Sequence, residues 1–143
     1  MADLDMDLLL HVPHLELEHR VFAALAEAGF DDVTPAQARL FQRVAPHGSR
    51  LAELAEAAQV TRQTAGFLVD QLERAGYVER TADPTDARAR LVRVAERGLA
   101  AGVVARAVVA EVEGEWTAHL GQRRMAALRD ALARLREITD PHL

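Results

Sequence analysis

The chain has 143 residues, half of them apolar, and a formal net charge of −5. That length supplies one domain's worth of core without staples, and the absence of cysteine excludes a disulfide framework, a thiolate metal site and a cysteine redox sensor. The first ten residues carry Asp3, Asp5 and Asp7 and no basic group, the wrong sign for a secretory leader, and no apolar run reaches the roughly 18–20 residues that span a bilayer, so a cytoplasmic chain with no membrane partner is expected.

Leu4 to Val12 is a leucine-rich arm whose structure the pattern leaves open. Pro13 suits the first turn of a helix, and Leu15, Phe22, Leu25 and Ala26 recur at helical spacing until Gly29 stops it. Thr34-Pro35-Ala36-Gln37 is a capping box with proline at the first helical position. A helix is predicted from there to about Val44, before the breaker Pro46-His47-Gly48. Ser49 reads as the cap of a short helix with Leu51, Leu54, Ala55 and Ala58 inward, and Gln59-Val60 as a turn. A second helix starts at Thr61, buries Ala65, Leu68, Val69 and Leu72, and closes at Ala75-Gly76.

Two short helices with a tight connection describe a helix-turn-helix or two members of an ordinary bundle. The following residues favour the first. Tyr77 to Thr81 and Arg90 to Val94 read as strands, with a turn-rich tip over 82–88 between them, so a β-hairpin wing follows the helix pair. A helix from Glu96 to Leu120 then aligns Val104, Val108, Val112 and Trp116. A last one from Gln122 to Ile138 spaces Met125, Leu128, Leu132 and Leu135 like a heptad seam, which needs a partner surface. The fold class predicted is mainly α with a small β-hairpin wing: a single domain over 1–143, its winged helix-turn-helix lobe at 34–97 and flanking helical segments at 1–33 and 98–143.

Charge divides along the same boundaries. Residues 1–33 hold eight acids and one arginine, residues 34–97 ten arginines and eight acids, and residues 98–143 six of each, so only the lobe is positive. All 17 basic residues are arginine, which a high-GC genome explains as readily as a preference for bidentate contacts. Thr61, Arg62, Gln63 and Thr64 cluster at the start of the second helix, where free amides favour phosphate, arginine can read guanine and glutamine adenine. Phe67 is either a contact to a thymine methyl or a core position, and its neighbour Gly66 is unfavourable in a helix interior.

An enzyme is not expected. There is no phosphate-cradling loop, no nucleophile motif and no spaced metal triad, and Asp31-Asp32 sits in a loop with nothing to tune it. His11, His14 and His19, with Glu16 and Glu18 between them, are the residues a metal-sensing variant would use. Pro13 interrupts that run and no closed ligand set emerges, so neither a metal nor a cofactor is expected.

The segment Leu51 to Gly98 resembles the multiple-antibiotic-resistance regulator (MarR) family. The likeness is carried by Leu51-Ala52-Glu53-Leu54-Ala55, by Val60-Thr61-Arg62-Gln63-Thr64, by the run from Leu68 to Arg80 and by the wing motif Asp86-Ala87-Arg88, followed by Ala89-Arg90-Leu91-Val92. The resemblance implies a homodimeric DNA-binding transcriptional regulator, more often a repressor, whose terminal helices interlock and whose two lobes meet one pseudo-palindromic duplex site. On this basis Thr61, Arg62, Gln63, Thr64, Phe67, Asp86, Arg88, Arg90 and Arg93 are the candidate DNA-binding residues. Arg88 is assigned to the minor groove and Asp86 to orienting it by a charge-assisted bond.

Leu8, Leu9, Leu15, Met125, Leu128, Leu132 and Leu135 are the candidate dimer interface. A pocket for a small aromatic effector is implied as well, with Phe22, Arg39, Phe41, His47 and Trp116 as candidates by type and position. Gly66-Phe67 and Ala95 depart from the family pattern, where serine followed by a basic residue, and a capping threonine, are usual. They leave open an alternative, a winged-helix module that binds protein or ligand with weak DNA affinity.

Overall fold

The computed structural model describes residues 3–142, and among them the order of elements follows the sequence pattern. Helix α1 (Met6–Glu27) is one continuous helix, so the arm before Pro13 is helical and the proline lies inside it. Proline removes one i→i−4 bond. The run of Met6, Leu8, Leu9 and Leu10 consists of good helix formers, and this half of α1 is exposed, so the carbonyl left without its donor faces solvent. Gly29, at φ +92°, then lets the chain turn out of the helix, with the Phe30 amide donating to the Leu25 carbonyl at 2.8 Å.

Helix α2 (Pro35–Phe41) opens on the expected capping box: the Gln37 amide donates to Thr34 Oγ1 at 3.2 Å and the Thr34 amide to Gln37 Oε1 at 3.1 Å. It ends three residues before Val44, in tight turns. The Gln37 side chain, buried, also donates to Gln71 Oε1 at 2.9 Å and so ties α2 to the fourth helix.

Ser49 is not the cap of helix α3 (Leu51–Ala57); Arg50 takes that position. Ser49 instead exchanges both backbone bonds with Val92, at 2.9 and 2.8 Å, while its hydroxyl accepts from the Ala45 amide. The turn to helix α4 (Arg62–Arg74) places Gln59 at φ +57°, rarely adopted outside glycine and asparagine. Thr61 caps α4, accepting from the Thr64 amide at 3.1 Å. Ala65, Leu68, Val69 and Leu72 are buried as predicted, and with Leu40, Leu54, Tyr77, Val78 and Val92 they form the lobe's core.

Strands β1 (Val78–Asp83) and β2 (Asp86–Val94) pair antiparallel from Val78↔Val94 to Ala82↔Arg90, with a bulge before Asp83↔Asp86. The seven-residue tip expected over 82–88 is therefore a turn of two residues, Pro84 and Thr85. Side chains of the turn type bond to the local backbone here, and that shortens the loop: Asp83 accepts from the Thr85 amide at 2.8 Å and Asp86 from the Arg88 amide at 3.0 Å.

Helix α5 (Glu96–Leu120) packs along α1, with Arg20 bridging to Glu111 and Glu115. Helix α6 (Gln122–Thr139) turns back at Gly121, so that Arg129 meets Glu113 at 2.9 Å. Its end returns to the lobe, where Asp140 accepts from both terminal nitrogens of Arg43, at 2.9 and 2.7 Å. Met125 is buried within the chain's own fold, which makes it a core residue rather than one offered to a partner.

Ala95, the N-cap of α5, makes no side-chain cap. An Ala95→Ser variant gains a hydroxyl that can accept from the Gly98 amide, so its stability is expected to rise by about 1 kcal/mol. Urea melts at fixed protein concentration check this: the midpoint rises and the slope does not change.

Candidate functional site

The exposed end of α4 is built by its cap. Thr61 spends its hydroxyl on the Thr64 amide and donates to Thr64 Oγ1 at 3.0 Å, so these two threonines hold the helix start while Arg62 and Gln63 project beside them. Phe67 follows Gln63 by one turn on the same face and is 61 % exposed, which rules out the core reading for it. Gly66 is not demanded by packing, since a Cβ there would meet only Leu51, at 3.7 Å.

The lobe's arginines fall into two groups. Arg39, Arg43, Arg50, Arg80 and Arg97 each hold a carboxylate. Among the described residues, Arg62, Arg74, Arg88, Arg90 and Arg93 are in no ion pair within 4 Å, and all five are exposed. Apart from Arg74 at the far end of α4, these unpaired charges lie on the start of α4 and on β2. Arg88 falls in the stretch Ala87 to Ala89, which has no opposite number on β1, so the bulge sets its direction. Arg90 and Arg93 are three residues apart along a regular stretch and stand on opposite faces of the strand. They do not form one basic row.

The expected role of Asp86 needs correction. Its carboxylate accepts from the Arg88 backbone amide, not from the Arg88 guanidinium. The carboxylate that organises the wing is Asp83, which sequence reasoning missed. Its side chain is 6 % exposed; Oδ1 accepts from the Thr85 amide and hydroxyl at 2.8 and 2.7 Å, and Oδ2 from Arg50 Nε and Nη2 at 2.9 and 2.7 Å. These donors, Thr85 first and then Arg50, hold the Asp83 carboxyl down at about 2.

Asp32 is likewise tuned after all. It accepts from both Arg97 terminal nitrogens, at 2.9 and 3.1 Å, and from the Tyr77 hydroxyl. Arg97 and then Tyr77 lower its carboxyl below the usual range, whereas burial and then Asp32 push the Tyr77 phenol up. Arg97 also lies over the Tyr77 ring at 4.3 Å, so this cluster joins the start of α5 to the loop after α1 as a structural clamp.

A cavity of about 490 Å³ lies among α1, α2, α5 and the end of α4. Phe22, Arg39 and Phe41 line it as expected; His47 and Trp116 do not. His47 faces a separate polar cavity of about 340 Å³ with Arg43 and His142, and Trp116 lies further along α5 than any residue of the larger cavity. Glu18, mostly buried, accepts from Arg39 at 3.2 Å and sits 3.4 Å from His14. Arg106 folds back over Gly102 at the same cavity, in no ion pair among the described residues. Among the described residues no three of His, Asp and Glu gather as a metal site, and no helix is long and apolar enough to cross a membrane.

On α1, Leu8, Leu9 and Leu15 are exposed, and on α6 so are Leu128, Leu132 and Leu135.

Residues 31–89 match the model of the MarR family. The chain is similar over most of its length to a Mycobacterium tuberculosis MarR family protein solved with salicylic acid (29 % identity, TM-score 0.64, covering 93 % of this chain and 97 % of that one). It is also similar to a Thermotoga maritima transcriptional regulator (25 %, 0.62, covering 92 % of each). Wild-type Escherichia coli MarR in its apo form shares the fold (23 %, 0.69, covering 94 % and 98 %). No curated protein sequence matches the chain.

Proposed function

We propose that the chain, whose residues 31–89 match the MarR family model and which is similar over most of its length to MarR family proteins, acts as a homodimeric DNA-binding repressor whose affinity a small aromatic effector modulates. In this reading residues 34–97 form the lobe that meets DNA and the helices of 1–33 and 98–143 pair the protomers, within one domain. What carries it is the sorting of the arginines: in a chain of net charge −5, the exposed arginines without carboxylate partners include Arg62, Arg88, Arg90 and Arg93. Arg62 and Gln63 are assigned to base edges in the major groove, with Thr61 and Thr64 shaping the helix start. Phe67 is assigned to a thymine methyl, Arg88 to the minor groove, and Arg90 to phosphate; Arg93, on the other strand face, reaches a different part of the backbone. Two-fold symmetry then sets half-sites about 34–36 Å apart.

The effector reading rests on the cavity. Its walls include Phe22 and Phe41 and its polar groups include Arg39 and Arg106, a combination suited to an aromatic ring carrying an acid. The Mycobacterium tuberculosis protein solved with salicylic acid supports that class. An occupant would touch α1 and α5 on one side and α2 and Leu72 of α4 on the other, so it can bias how the lobe sits on the helices.

Fluorescence anisotropy with duplex from the chain's own upstream region tests the proposal. Wild type is expected to bind with a steep negative salt slope, and Arg62→Ala or Arg88→Ala to weaken binding by about tenfold or more, as loss of about 1–3 kcal/mol per contact implies. Unchanged affinity in both variants sinks the assignment. A slope near zero favours the second reading, a protein-binding module, for which the exposed Phe67 is the supporting observation.

A further inference from the structure

The wing of this chain is attached to the lobe at two places. At its base Ser49 and Val92 exchange backbone bonds, adding a short third edge to the hairpin. The next residue, Arg50, reaches from the start of α3 to the far end of the wing and bonds Asp83 beside the Pro84-Thr85 turn. Backbone pairing alone would leave a two-stranded ribbon free to swing about its base, since isolated hairpins are marginal. The Arg50–Asp83 pair fixes the other end. Asp83 uses one oxygen for Arg50 and one for Thr85, so a single buried carboxylate sets both the local turn and its attachment to α3.

Resting on the DNA-binding reading above, we propose that Asp83 and Arg50 are positioning residues for DNA recognition: they hold the wing so that Arg88, in the adjoining bulge, points at the groove without touching DNA themselves. Both residues lie outside the hydrophobic cluster of the lobe, and Arg50 is partly exposed. Arg50 is engaged with Asp83 through two donors, Nε and Nη2, on one carboxylate oxygen, unlike Arg62, Arg88 and Arg90, which are in no ion pair among the described residues. A loosely held wing must be ordered when DNA binds, and that entropy is drawn from the affinity.

The sign of one substitution separates positioning from plain electrostatics. Asp83→Asn removes a negative charge from a DNA-facing lobe, so by charge alone affinity should rise. Positioning predicts the opposite, because an amide cannot present two acceptor oxygens, and an amide NH₂ turned toward Arg50 sets donor against donor. Anisotropy at fixed salt is expected to show about a tenfold loss in Asp83→Asn, a similar loss in Arg50→Gln, and little further loss in the double variant. In parallel, amide exchange over residues 85–90 is expected to quicken in each variant while the lobe core stays protected.

Asp83→Asn binding as tightly as wild type or more so overturns the proposal, as does a loss confined to Arg50→Gln, which would make Arg50 a phosphate contact. Unchanged exchange at the wing overturns it too. If wild type binds no duplex even at low salt while exchange still quickens, it is the DNA reading that fails, and the anchoring stands by itself.

Discussion

Gly98→Ala is expected to lower the melting temperature by about 5–10 °C, although alanine is the better helix former. Gly98 is the third residue of α5, and a Cβ there would lie 2.2 Å from the Tyr77 carbonyl oxygen and 2.9 Å from both Phe41 Cε2 and Val94 Cγ1. The carbonyl cannot simply step aside, because it accepts from the Ala95 amide at 3.0 Å and belongs to the residue whose ring is clamped by Arg97 and whose hydroxyl is held by Asp32. Helix propensity returns about 1 kcal/mol, whereas forcing atoms into a filled site against backbone costs about 3 kcal/mol or more. The remaining loss of about 2 kcal/mol or more corresponds to that shift for a chain of this size. Thermal melts at one protein concentration decide it. A variant that melts at or above the wild-type temperature would show that α5 can slide away from β1, and that the junction between lobe and long helices is looser than its contacts imply.

This junction also shows where sequence reasoning stops. The capping box at Thr34, the inward face of α4 and the stop at Gly76 were legible because each depends on residues within a turn or two of one another. The hairpin was legible for the same reason, though its tip was overdrawn: Asp83, Thr85 and Asp86 are turn-forming types, and here they bond inward and let the strands run to within two residues of each other.

What was missed depends on distant partners. Asp32 looks idle beside Asp31 until Tyr77 and Arg97, 45 and 65 positions away, are brought to it. Ser49 looks like a cap until Val92 claims its backbone. Asp83 and Asp86 are alike in composition, and only Arg50 tells them apart. Pro13 misled for a different reason: its cost is set by one lost bond, which a leucine-rich exposed helix absorbs. Of the pocket candidates, Phe22, Arg39 and Phe41 line the larger cavity, whereas His47 and Trp116 do not, because residue type and approximate helix position carry no constraint on direction.

A Leu128→Asp/Leu132→Asp double variant is expected to sediment as a monomer of 15.7 kDa and to lose DNA affinity by a hundredfold or more. Leu128, Leu132 and Leu135 repeat at four and three residues along α6, which places them on one face, and they are 39, 44 and 48 % exposed in the single chain. Leu8, Leu9 and Leu15 add to the apolar surface on α1. Monomeric proteins rarely leave so much apolar side chain in contact with water, so a second copy is the natural cover. Full burial of a leucine contributes about 1.5–3 kcal/mol; completing the burial of these half-exposed ones contributes about 1 kcal/mol each. Two-fold symmetry applies both substitutions twice, so four leucines account for about 4 kcal/mol, and a carboxylate pushed into an apolar seam adds its desolvation cost. That exceeds the roughly 4 kcal/mol that separates a nanomolar dimer from a micromolar one. A lone lobe would then grip one half-site without the tether that makes the second contact effectively intramolecular. The substituted positions lie outside the buried core, so circular dichroism should keep its helical signature. Wild type that sediments at monomer mass at micromolar concentration would remove the twin-lobed geometry, and with it the half-site spacing and the effector's means of acting on DNA.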